Sequence, residues 1–180
     1  WYLVNFPTND KFRTVQVLDH SNCFAGGTGF WLSRNGGVSW IEKQLPSSIY
    51  SFSSIRDIHF TTKDFGVICG SGVIYTTDGG ESWNESTGIA RPRCSGFSFI
   101  DSQLGIVCTA NEVYLTADGG RTWNLQCRID SLPPIGITFV RENTFLGFSA
   151  NGAYYISNDR GQTWDNRNRS VTSEDLTGVY

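Results

Sequence analysis

The chain has 180 residues, 39% of them hydrophobic, with 20 glycines, 12 phenylalanines, 7 tyrosines and 6 tryptophans. That length accommodates one ordinary domain with a real core, and the glycine count implies many tight turns. A formal net charge of −3 argues against a nucleic-acid binder, and no apolar run approaches the roughly 20 residues that cross a bilayer as a helix.

Read from the start, Trp1-Tyr-Leu-Val4 resembles an isolated outer strand, so residues 1–5 are expected to be a partial repeat. A first full repeat then spans about 14–43, with strands expected at Thr14–Leu18, Cys23–Ala25, Phe30–Ser33 and from Ser39-Trp40 onward. The second, about 55–86, is the clearest. Ile55-Arg-Asp-Ile-His-Phe60 alternates apolar and polar side chains, the period of a strand with two unlike faces. Phe65–Cys69 is an apolar strand, Gly70-Ser-Gly72 a glycine-permitted hairpin turn, and Val73–Thr76 a third strand. A fourth strand is expected to begin at Ser82-Trp83-Asn84. The repeats at about 96–126 and 135–167 follow the same order, and Leu176–Tyr180 resembles another inner strand, a partial repeat at 175–180. No segment has a 3.6-residue period, so helix should be nearly absent.

One phrase ties these repeats together. It reads Ser33-Arg-Asn-Gly-Gly-Val-Ser-Trp40, Thr76-Thr-Asp-Gly-Gly-Glu-Ser-Trp83, Thr116-Ala-Asp-Gly-Gly-Arg-Thr-Trp123 and Ser157-Asn-Asp-Arg-Gly-Gln-Thr-Trp164. Its tryptophans are spaced 43, 40 and 41 residues apart, a period that marks one supersecondary unit used repeatedly. Four antiparallel strands in about 40 residues make one blade of a β-propeller. The expected fold is therefore all-β, with four complete four-stranded blades in a single propeller segment over 1–180. The stray strands at either end suggest an arc of a larger ring, and the missing start methionine suggests a processed or excerpted chain. Within each phrase, Asn35, Asp78, Asp118 and Asp159 suit acceptors for turn N–H groups, and Trp40, Trp83, Trp123 and Trp164 suit covers for the hairpin. One identical acid per blade is symmetric, whereas catalysis needs asymmetry, so these acids read as structure.

The phrases resemble the Asp-box (bacterial neuraminidase repeat) family over nearly the whole chain. The longer run Cys69-Gly-Ser-Gly-Val-Ile-Tyr-Thr-Thr-Asp-Gly-Gly-Glu-Ser-Trp83 is most similar to the propellers of the photosystem II stability/assembly factor family. That resemblance implies a ring of about seven blades, a non-enzymatic assembly platform and an arginine-rich face. It also implies an extracytoplasmic site: secreted, periplasmic, cell-surface or thylakoid lumen.

The inter-blade loops should share a face, and they carry Arg91, Arg93, Arg128, Arg167 and Arg169, five of the 11 arginines. Guanidinium groups there suit a protein or polyanionic partner. The alternative is a glycoside hydrolase or carbohydrate-binding propeller, sialidase-like or xyloglucanase-like, with a cleft around Tyr50, Asp57 and Asp175. Against a sialidase, the Arg-Ile-Pro motif is absent, Arg128-Ile-Asp130 being the nearest run. The balance therefore leans away from an enzyme. His20 and His59 stand apart from other metal-type ligands, no Cys-x-x-Cys occurs, and neither metal nor cofactor is expected. Cys69, Cys108 and Cys23 read as small buried hydrophobes at matching places, while Cys94 and Cys127 sit in connecting loops where a disulfide between them is one expectation.

Overall fold

A computed structural model describes residues 11–45, 54–89, 93–129, 134–149 and 153–167. The described residues contain sixteen strands and no helix. They form four antiparallel sheets of four strands, each in simple chain order. β1 (Phe12–Val17), β2 (Cys23–Gly27), β3 (Phe30–Ser33) and β4 (Ile41–Lys43) make the first; β5 (Asp57–Phe60), β6 (Gly66–Cys69), β7 (Val73–Thr76) and β8 (Asn84–Glu85) the second. The third holds β9 (Gly96–Phe99), β10 (Gly105–Cys108), β11 (Glu112–Thr116) and β12 (Asn124–Arg128); the fourth holds β13 (Pro134–Arg141), β14 (Thr144–Ser149), β15 (Tyr154–Ser157) and β16 (Asp165–Arg167). The partial repeats at 1–5 and 175–180 lie outside the described residues. The chain divides into two compact units, Trp1–Glu85 and Ser86–Tyr180.

In the first unit, period-2 alternation decides which face each side chain joins. Phe24, Phe30 and Leu32 project from the first sheet onto Ile55, Ile58, Phe60, Ile68, Ile74 and Trp83 of the second repeat. Phe24 and Phe60 stack at 3.6 Å between ring centroids. Burying each such side chain contributes about 1.5–3 kcal/mol. Polar groups join the sheets as well: the Gln16 amide donates to Phe60 O (2.9 Å) and accepts from Phe60 N (2.5 Å). Arg34 lies over the Phe24 ring, 5.7 Å from its centroid, and donates to Lys63 O and Gly79 O.

The second unit repeats the plan. Ile106, Cys108 and Val113 of the third sheet meet Ile137 and Phe145 of the fourth, with Leu115, Cys127, Phe139 and Trp164 packed around them. Ser98 Oγ lies 3.4 Å from Thr138 Oγ1 and accepts from Phe139 N at 3.4 Å, so β9 and β13 run side by side in matched register. The segment 86–88 lies along the phrase of the third repeat: Thr87 N donates to Arg121 O (3.0 Å) and Trp123 N to Thr87 O (2.9 Å).

Each repeated phrase connects the third and fourth strands of its sheet. The outer strand starts two residues later than the sequence suggests, with the tryptophan indole bonded back onto the turn in three of the four phrases. Trp40, Trp123 and Trp164 donate their indole N–H to Gly37 O, Gly120 O and Gly161 O at 3.0–3.1 Å. Trp83 is the exception: its Nε1 is buried without a hydrogen-bond partner among the described residues, and its ring meets Phe30 edge-on at 5.2 Å.

Candidate functional site

Antiparallel pairing gives every sheet two ends. One holds the repeated phrase and the turn between first and second strands. The other holds the short hairpin between second and third strands and the connections between repeats.

At the phrase end the same bonds recur. Thr76 Oγ1 donates to Asp78 Oδ1 (2.8 Å) and accepts from Gly80 N (2.9 Å). Asp78 accepts from Ser82 N (2.9 Å) and Ser82 Oγ (2.5 Å). Thr116 with Asp118 and Ser157 with Asp159 reproduce this pattern. In the first phrase Asn35 accepts from Ser39 N and instead donates through Nδ2 to Ser39 Oγ, both at 2.9 Å. Asp78 is held at about 2, first by the Ser82 hydroxyl and then by the Ser82 amide. These oxygens are occupied by their own turns, which leaves them poorly placed for proton transfer.

The opposite end is where the predicted arginines belong. Arg93 is exposed and lies three residues before β9. Arg128 closes β12, and Arg167 closes β16 opposite Tyr154. Arg91 and Arg169 lie outside the described residues. The register of β9 with β13 brings Arg93, Arg128 and Arg167 to one end of the two sheets of this unit. Arg93 and Arg128 nevertheless flank opposite edges of one sheet, about 14 Å apart at three strand spacings.

Two residues that the sequence reading passed over complete this end. Arg128 Nε donates to Glu112 Oε1 at 3.1 Å, and Tyr114 OH donates to Glu112 Oε2 at 2.5 Å. Glu112 is held below its ordinary range, first by the bond from Tyr114. Tyr114 is pushed up to about 12, mainly by burial and then by Glu112. A sequence signal existed: Gly29, Gly72 and Ala153 stand where the third repeat has Glu112.

The Cys94–Cys127 bridge is corrected. All five cysteines are thiols. Cys94 adjoins the start of β9, whereas Cys127 pairs with Val113 in β12, at the far edge of the same sheet. A disulfide needs Cα atoms within about 7 Å. Cys69 and Cys108 occupy matching places, opposite Val73 and Val113. Cys23 does not: it pairs with Ser33 at the phrase end of its sheet.

For the cleft of the alternative reading, Tyr50 and Asp175 lie outside the described residues. Asp57 accepts from its neighbour Ile58 N (2.9 Å) and from Thr14 Oγ1 (3.3 Å). Burial lowers His59 to about 4, leaving it neutral at physiological pH. Among the described residues no group of three or more His, Cys, Asp or Glu is placed to hold a metal ion, and no helix is long and apolar enough to cross a membrane.

A family model described as photosynthesis system II assembly factor YCF48 matches residues 1–176. Among solved structures, YCF48 bound to D1 peptide is 22% identical with a TM-score of 0.72, aligning 97% of this chain with 58% of that one. YCF48 from Cyanidioschyzon merolae is 15% identical with a TM-score of 0.67, over 96% of this chain and 63% of that one. An ancestral GH74 enzyme is 16% identical with a TM-score of 0.72, over 91% of this chain and 25% of that one. This chain thus spans less than two thirds of each, and the likeness establishes the β-propeller fold. A search of curated proteins finds no significant match.

Proposed function

The chain belongs to the photosynthesis system II assembly factor YCF48 family, and on that premise we propose that it is a non-catalytic propeller that binds a protein partner. The observation that carries this reading is the asymmetry between sheet ends. The repeated acids are consumed by their own turns, while Arg93, Arg128 and Arg167 gather at the opposite end of one unit. A relative solved with a bound peptide supports a polypeptide as partner. Arg91 and Arg169 belong to the same proposed face, a polyanionic ligand is its other candidate, and the family favours an extracytoplasmic site. Glycan cleavage has weaker support, since Asp57 already accepts two hydrogen bonds. We read the four sheets as blades of one propeller.

The test is an array of acidic and neutral peptides probed with the full chain at 50 and 300 mM salt. Binding should favour acidic peptides and weaken with salt, because exposed charges are screened within about 8 Å at physiological ionic strength. Arg93→Ala combined with Arg128→Ala should reduce capture without lowering the melting temperature. Capture that ignores both salt and these substitutions rules out the arginine face.

A further inference from the structure

The third sheet departs from the others at the hairpin between its second and third strands. Gly29, Gly72 and Ala153 are replaced there by Glu112, and the replacement creates two linked bonds. Tyr114, 4% exposed, donates to one carboxylate oxygen of Glu112, and Arg128 Nε donates to the other. The Glu112 side chain is 18% exposed and that of Arg128 68%. With both oxygens engaged, the carboxylate cannot turn without losing a bond, and the guanidinium it holds is fixed through its Nε edge. The two Nη amines of Arg128 have no partner among the described residues. They form the outward edge of a planar fork that matches a planar carboxylate bidentately.

We infer that Glu112 and Tyr114 are positioning residues that make Arg128 a receptor for a single carboxylate of a protein partner and blunt its pull on multiply charged anions such as phosphate. This deepens the protein-binding reading and rests on it. The selectivity follows from charge. Glu112 is kept ionised, so the pair is neutral overall, and an anion seated on the Nη edge has Glu112 about 6 Å behind it. In a solvent-like dielectric that repulsion weakens a monoanion about three-fold and a dianion about ten-fold. The acid therefore removes much of the extra attraction that a doubly charged phosphate would otherwise gain.

The test follows the Arg128 Nε–Hε cross-peak of the full ¹⁵N-labelled chain, assigned by its loss in Arg128→Lys, during titration at pH 8 with acetate or inorganic phosphate at constant ionic strength. Phosphate should bind no more than about two-fold more tightly than acetate. Glu112→Gln should strengthen acetate about three-fold and phosphate about ten-fold, restoring the pull of the second charge. Tyr114→Phe keeps every charge, yet should weaken acetate and speed exchange of Hε with water. A merely structural pair would move both anions equally. Equal factors in Glu112→Gln, or no effect in Tyr114→Phe, overturns the inference. Peptides with amidated and free C termini separate an acidic side chain from a chain terminus as the source of the carboxylate. A blank peptide array beside a normal acetate response would sink the protein-binding reading alone. Peptide capture with no acetate response would sink this inference alone.

Discussion

The phrase-bearing ends of the four sheets carry one set of bonds four times, whereas the hairpins at the opposite ends hold Gly29, Gly72 and Ala153 in three repeats and Glu112 in the fourth case. Packing explains the contrast. At the phrase end, Thr76, Thr116 and Ser157 are buried at 0–1% exposure, and their hydroxyls accept from buried glycine amides. A buried donor left unpaired costs about 1–3 kcal/mol, so each repeat keeps the same solution. The opposite end is solvated at Arg93 and Arg128, and a change there disturbs little of the core. Repetition marks what the fold requires, and departure from it marks where a partner could be recognised.

If the phrase end serves the fold, the heaviest losses should come from its glycines. Gly80 has φ +93°, and a Cβ added to it would lie 2.6 Å from Phe30 Cε1. Left-handed backbone strain and overpacking together put Gly80→Ala at about 3 kcal/mol, a fall in melting temperature of roughly 9 °C for a chain of this size. A loss below about 1 kcal/mol in thermal unfolding would mean that the phrase is not what locks the first two sheets.

Thr116→Val is the next largest. It removes the hydroxyl that donates to Asp118 and accepts from Gly120 N, both at 2.8–2.9 Å, in a side chain with no exposure. The expected cost is about 2 kcal/mol. Acetate binding at Arg128 should be unchanged, since the two ends of the sheet are separate. Weakened acetate binding in this variant would show that the ends are coupled.

Acidity gives a finer separation. Asp78 is held at about 2 in the folded chain against an ordinary 3.8. A carboxyl lowered by folding contributes stability that is fully present above its unfolded value and is lost as pH falls through its folded one. Asp78→Asn keeps an acceptor and, like Asn35, can donate to the facing hydroxyl, without titrating. Urea titrations should therefore show the widest gap between wild type and variant at pH 5 and above, closing from about 4 towards 2. A gap constant with pH would assign the bond to geometry and not to charge.

The sheets were legible in the sequence because each burial pattern is local: alternation in Ile55–Phe60 and the terminal tryptophans mark strand and turn without reference to distant residues. What the sequence hid were relations across strands. Cys94 and Cys127 look like neighbours in connecting loops, but only the order β12-β11-β10-β9 reveals that they flank opposite edges. Cys23 precedes an apolar run as Cys69 ends one, and only the pairing with Ser33 separates them. Arg128 was visible as a charge, yet its link to Glu112, 16 residues earlier, depends on the register of β11 with β12.

The fourth phrase supplies the smallest effect and the narrowest test of what repetition demands. Gly36, Gly79 and Gly119 have φ of +68°, +75° and +74°, and Arg160 takes their place at +60°. A non-glycine residue in this region costs about 1–2 kcal/mol. Arg160 offsets that cost outside the turn: Nε donates to Asn143 Oδ1 at 2.7 Å, and the guanidinium pairs with Glu142. Exposed bonds of this kind contribute about 0–1 kcal/mol. Arg160→Gly should therefore relieve the strain, lose the contacts and leave stability within about 0.5 kcal/mol of wild type. Glu142→Gln should cost less still in wild type and nothing once Arg160 is glycine, a coupling that a double-mutant cycle in urea measures directly. A loss above about 1.5 kcal/mol in Arg160→Gly would mean that the arginine holds the fourth turn by more than these two partners.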